Sequence, residues 1–148
     1  MAKRFDDLGL PGWVSDGLRR VLGTDAEGER LNDFGWGGVP PAAQLGIAVG
    51  SLGRNYRDML EAGWKGGDKY FHCKGHCEAA KAGSVGVAFS KRQGDVREER
   101  DQRVKGYPPE DAQADQDANA TGRAAGIRGL DCRQACAVKR PNGLPERY

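Results

Sequence analysis

Asp68-Lys-Tyr-Phe-His-Cys-Lys-Gly-His-Cys-Glu-Ala-Ala-Lys-Ala-Gly83 is the stretch on which the reading of this chain turns. Its residues predict one short helix over 68–82. Asp68 follows the flexible pair Gly66-Gly67 and is the predicted N-cap, and Gly83 is the predicted stop. Cys73 and Cys77 lie four residues apart, so both thiols share one face, one turn apart. The chain holds one echo, Cys132 and Cys136, at the same spacing. What joins these two pairs is the main chemical question the sequence poses.

Upstream, residues 42–63 have the clearest helical periodicity. Leu45, Ala48, Val49, Leu52, Tyr56, Met59 and Leu60 recur at helical spacing and form the predicted core stripe. Before it, 10–23 reads as a short helix with Pro11 in its first turn, and 24–41 as a Gly/Pro-rich loop whose Phe34 and Trp36 pack on the domain. Downstream, 85–105 carries a broken apolar stripe. Its segment Asp95-Val-Arg-Glu-Glu-Arg-Asp-Gln-Arg103 reads as a solvated face of mixed charge with i,i+4 pairs. Gly106-Tyr-Pro-Pro109 breaks that helix. Residues 110–125 form another, offering mostly alanine for burial. No segment alternates with a period of two, so the fold class is all-α.

The chain has 148 residues, enough for a modest core. Its apolar supply is thin: 38% hydrophobic residues, 23 glycines and a mean hydropathy of -0.70. Covalent staples suit such a composition. A net charge of +2 does not point to nucleic acid. No apolar run approaches the roughly 20 residues that span a bilayer. The N-terminus shows no apolar h-region, so no signal peptide is read, yet the even cysteine count points to an oxidising destination. Delivery within a larger secreted protein, a leaderless route or a cytosolic metal site reconciles the two.

Several runs occur in the order found in a known family. Tyr56-Arg-Asp-Met59, Asp68-Lys-Tyr-Phe-His72, Ala79-Ala-Lys81, Asp115-Gln116 with Ala118-Asn119, Gly122-Arg123 and the closing Gly143-Leu-Pro-Glu-Arg-Tyr148 resemble serum amyloid A. The resemblance covers about 51–148. It implies a small antiparallel four-helix bundle whose C-terminal tail wraps the helices. On that basis the chain divides into an N-terminal extension, 1–43, and a serum amyloid A-like domain, 44–148. The animal family lacks cysteines at the positions of Cys73 and Cys77, has no equivalent of Asp131-Cys-Arg-Gln-Ala-Cys136, and has no counterpart of 1–43. The Arg/Asp/Gly/Ala-rich composition looks bacterial, and bacterial relatives of the family are associated with the C-terminal modules of polymorphic toxins.

In the fold that the resemblance implies, the tail returns across the helices. Two facing pairs on antiparallel segments then make two rungs, Cys73–Cys136 outside and Cys77–Cys132 inside. A zinc site is the rival, built from Cys73, Cys77, Cys132 and Cys136 with His72 and His76 close by. Free thiols, and a nucleophilic Cys–His pair, are further alternatives.

Other candidate sites are less specific. Glu110, Asp111, Asp115 and Asp117 read as charge at a helix N-terminus, with a cation site as the alternative. Arg123, Arg128, Arg133, Lys139 and Arg140 are candidates for lipid headgroups or other anions. No cofactor is expected, zinc being the alternative. The functional expectation is a secreted, non-enzymatic helical module that acts on membranes or lipids through helix 42–63 and its basic tail, as a bacterial toxin effector. To insert, apolar faces buried in the bundle would have to open. The alternatives are a toxin enzyme such as a nuclease using His72 or His76, and a protein-interaction module bound by an immunity or adaptor protein.

Overall fold

In the computed structural model, residues 39–148 are described. The helix expected at 10–23, the loop residues 24–38 and the placement of Phe34 and Trp36 lie outside them. The described residues contain helices and no strand. Four long helices come first: α1 (Pro41–Ala62), α2 (Asp68–Lys81), α3 (Ser84–Lys105) and α4 (Pro109–Ile127). The tail adds one short helix, α5 (Cys132–Ala135), and a 3-10 turn (Ala137–Lys139).

The boundaries follow from local chemistry. Proline occupies the first turn of α1 and of α4, where its missing N–H costs no intrahelical bond. Gly63 and Gly106 close α1 and α3 with left-handed dihedrals. Asp68 is the first residue of α2 and makes no side-chain cap bond; the N-cap is Gly67. The acid still sits in the first turn, where the helix dipole favours it, and it pairs with Lys69 at 2.8 Å. A side-chain cap does hold the tail helix: Asp131 accepts from the Gln134 N–H at 2.9 Å.

α2 is the hub. It packs most extensively on α4 and next on α1. Every residue from Tyr70 to Cys77 is buried, including His72, Lys74 and His76. Asn55 of α1 lies against Gly75, Gly86 of α3 against Ala79, and Gly122 and Gly126 of α4 against Cys73 and Cys77. Paired contacts along each helix give α1 and α3 the opposite sense to α2, and α4 the same sense. The α2–α4 approach is close because glycine has no Cβ. An added Cβ at Gly122 would stand 2.1 Å from the Cys73 carbonyl oxygen, and one at Gly126 would stand 2.3 Å from that of Cys77.

Small and polar side chains, rather than a leucine stripe, fill these contacts. α1 turns Gln44, Ala48, Ser51 and Asn55 inward. Both inward amides are bonded: Gln44 Oε1 accepts from the Val85 N–H at 3.1 Å, and Asn55 Nδ2 donates to Glu78 Oε2 at 2.7 Å. Lys74 Nζ donates to Asn55 Oδ1 at 3.1 Å and pairs with Glu78 at 3.2 Å. The expected core stripe of helix 42–63 is therefore rotated outward. Val49 is 51% exposed, Tyr56 47% and Leu60 61%. Ala48 alone of that stripe is fully buried. The central helix it faces offers polar partners, so bonding decided which side went in.

The tail completes the main apolar cluster. Leu144 and Tyr148 join Tyr70, Phe71, Cys73, Ala118 and Cys136, with Met59 and Ala62 alongside. Phe71 meets Tyr70 and Tyr148 edge-on, at centroid distances of 5.3 Å and 5.7 Å. Cys73 is bonded to Cys136 and Cys77 to Cys132, with Cα separations of 5.8 Å and 5.6 Å. There are no free cysteines among the described residues. The zinc alternative through these four sulfurs falls with that bonding, as does a nucleophilic thiol, because a disulfide sulfur carries no ionisable S–H.

Candidate functional site

Two places on the molecule have the chemistry of a site. The first is a groove between α1 and α3, with α2 as its floor. Val49, Leu52, Tyr56, Met59, Phe89 and Val96 supply its apolar walls. It encloses about 480 Å³. The helices form apolar walls here because their polar and small residues already face α2. Arg97, Arg100 and Lys105 line one side. The Arg97 guanidinium stands 5.0 Å from the centre of the Tyr56 ring, holding a cation over an aromatic face. The floor carries His72, His76 and Asn119.

The second lies inside the packing of α2, α3 and α4. His72, Glu98 and Asp115 come from these three helices, and one donor atom of each lies within 4.8 Å of the others. Glu98 is only 3% exposed, and its Oε1 makes no hydrogen bond among the described residues. Asp115 Oδ1 is ion-paired to Lys69, leaving Oδ2 3.8 Å from His72 Nε2. His72 Nδ1–H donates to Asn119 Oδ1 at 2.9 Å, since an amide oxygen can only accept. That bond leaves the Nε2 lone pair turned toward Asp115.

Burial dominates the titration of this region. It pushes the Glu98 carboxyl up to about 7, helped by Asp115 and Asp101 and opposed by Arg97 and Lys69. It holds His72 below the ordinary histidine value, against the pull of Asp115. His76 is driven down to about 3 by burial and then by Arg123, whose Nη1–H donates to His76 Nδ1 at 3.0 Å. His76 therefore stays neutral with its Nδ1 lone pair engaged, an arrangement unsuited to a general base. Of the two rings offered for catalysis, His72 faces Asp115 and His76 faces Arg123.

A folded-state value raised from the ordinary 4.5 means that stability falls as pH rises through that interval. We expect Glu98→Gln to match the parent at pH 4.5 and to be more stable by about 2–3 kcal/mol at pH 8. Denaturant unfolding at both pH values, in chelator, measures it. Comparing the two proteins cancels His76, whose lowered value acts in the opposite direction. Equal differences at the two pH values would show that Glu98 is not held neutral by the fold.

The remaining sequence candidates separate. Of the acidic cluster, Glu110, Asp111 and Asp117 are exposed, and only Asp115 turns inward. Its partner Glu98 belongs to the run expected as a solvated face. Its spacing from Gly94 and Asp101 puts the three on one helical face, and the structure buries all three. Of the basic set, Arg123 donates to His76, with the Asp95 charge favouring its ionised form. Arg140 donates to the backbone carbonyls of Leu144, Pro145 and Tyr148 and to the Tyr70 hydroxyl. Arg133 donates to the Glu146 carbonyl. These three arginines serve the fold, while Arg128 is exposed and Lys139 half-buried.

The sequence model of the family described as "Serum amyloid A protein" matches residues 42–148. The chain belongs to the serum amyloid A family. Among its relatives, serum amyloid A-2 of Mus musculus is 44% identical over 100 residues, covering 68% of this chain and 75% of the relative. Serum amyloid A-2 of Oryctolagus cuniculus is 43% identical over 107 residues, 70% and 80% of the two chains. Serum amyloid A of Anas platyrhynchos is 43% identical over 95 residues, 64% and 68%. These serum amyloid A relatives come from mammals and a bird, and nothing in them supports the bacterial or toxin-module expectation. The serum amyloid A match begins at residue 42, one residue after the start of α1.

Proposed function

We propose that this protein is a secreted lipid-binding member of the serum amyloid A family, and that the groove between α1 and α3 takes the apolar part of an amphiphilic lipid. One observation carries this reading. α1 exposes large apolar side chains while Gln44, Ser51 and Asn55 face inside, so an apolar surface stands ready without any opening of the helical core. Arg97, Arg100 and Lys105 on one side suit an anionic headgroup. Two disulfides fit an oxidising extracellular setting.

Vesicle co-flotation tests it. The protein should float with phosphatidylcholine vesicles, and more strongly when phosphatidylserine is included. The double variant Val49→Asp/Val96→Asp alters two exposed positions and should unfold normally. Covering the exposed half of each valine is worth about 1 kcal/mol, about 2 kcal/mol for the pair, so the variant should bind more than ~10-fold more weakly. A parent protein that stays with the aqueous fraction at every lipid composition would overturn the proposal.

A further inference from the structure

We propose that His72 Nε2, the Glu98 carboxylate and Asp115 Oδ2 form a binding site for one divalent transition-metal cation, with zinc as the best-matched ion. The donor set has one imidazole and two carboxylates, a mixture zinc accepts with open positions for water. The three donors come from three helices, so an ion there would tie α2, α3 and α4 together at one point.

Four observations converge on the same atoms. Glu98 Oε1 is buried and lacks a partner among the described residues, an arrangement that is costly unless a ligand satisfies it. The Nδ1–H bond of His72 to Asn119 fixes the tautomer that presents Nε2 as a donor. Asp115 is oriented by Lys69 through one oxygen and leaves the other facing His72. That is the outer-shell support metal ligands usually have. Finally, Glu98 lines a second cavity, of about 460 Å³, between α3 and α4. That cavity gives an ion a path from solvent that does not cross the groove.

The spacing is compatible. Donors around tetrahedral zinc stand roughly 3.4 Å apart. From a spread within 4.8 Å, small side-chain rotations of Glu98 and Asp115 reach that geometry. No helix has to move. Lys69 stays on Asp115 Oδ1 and offsets part of the added charge.

The test uses the full chain with its disulfides intact. After chelator treatment and dialysis, zinc should bind at one equivalent by calorimetry and raise the unfolding temperature. Cobalt, as a spectroscopic stand-in, should give visible absorption bands at one equivalent that zinc then bleaches. Glu98→Gln keeps the shape of the site and removes a charged donor. It should weaken zinc binding at least ~10-fold and abolish the cobalt bands while remaining folded. His72→Gln should do the same with His76 still present. Absence of stoichiometric binding would overturn the proposal. So would binding that survives both substitutions, because it would then lie elsewhere on the chain.

Discussion

Reducing both disulfides should lower the stability of this protein by about 6–7 kcal/mol. The outer bridge closes a separation of 63 residues and the inner one of 55. In the chain-entropy account either bridge alone is worth about 4 kcal/mol. The second is worth less once the first exists. With Cys73–Cys136 closed, Cys77–Cys132 closes only the two four-residue segments between the rungs, worth about 2.5 kcal/mol. Against the ~5–15 kcal/mol typical of a folded domain, the pair accounts for much of the net stability. The tail would go first, because Leu144, Tyr148 and the Arg140 bonds are anchored on α2 through Cys73. Denaturant unfolding with and without reductant measures the effect. Replacing either cysteine pair by alanine should cost only about 2–3 kcal/mol, since the surviving rung keeps most of the long-loop closure. A reduced chain that unfolds at the midpoint of the oxidised one would refute this account.

Gly122→Ala should be the most damaging conservative change in the helical core, costing about 3 kcal/mol or more. The new methyl would stand 2.1 Å from the Cys73 carbonyl oxygen, 2.9 Å from its carbonyl carbon and 3.0 Å from the Cys77 nitrogen. All three are backbone atoms of a buried helix, so no side chain can turn aside. α4 would have to lift off α2, loosening the contact that also presents Asn119 to His72. Gly50→Ala gives the contrast. Nothing lies within 4 Å of a methyl there, and the residue is mid-helix in α1. That change should stabilise by about 1 kcal/mol through helix propensity. If the two substitutions behave alike, the close α2–α4 approach is not a stability determinant.

The groove and the three-helix cluster share an origin. A chain with few large apolar residues brings its helices together on glycine, alanine and serine. Large side chains are then left over for the outside, and long polar ones are carried inside. Glu98 and His72 are buried where three helices converge, and Gly94 of α3 lies close against Asn119 and His76. The same economy leaves Val49 and Tyr56 on an open wall.

Local chemistry in the sequence determined where helices start and stop. Proline fixed the first turns at 41 and 109, and glycine fixed the ends at 63 and 106. The ordered runs from Tyr56 to Tyr148 carried the family. The i,i+4 cysteine spacing placed two thiols on one helical face. Periodicity did not determine which side of α1 faces the core, because a hydropathy stripe ranks side chains by their affinity for water. Here Gln44 and Asn55 found hydrogen-bond partners on α3 and α2 and went inside. Nor did local sequence mark Glu98 for burial within a run of alternating charges. Its burial follows from the approach of three helices distant in sequence, and only the tertiary structure decides that.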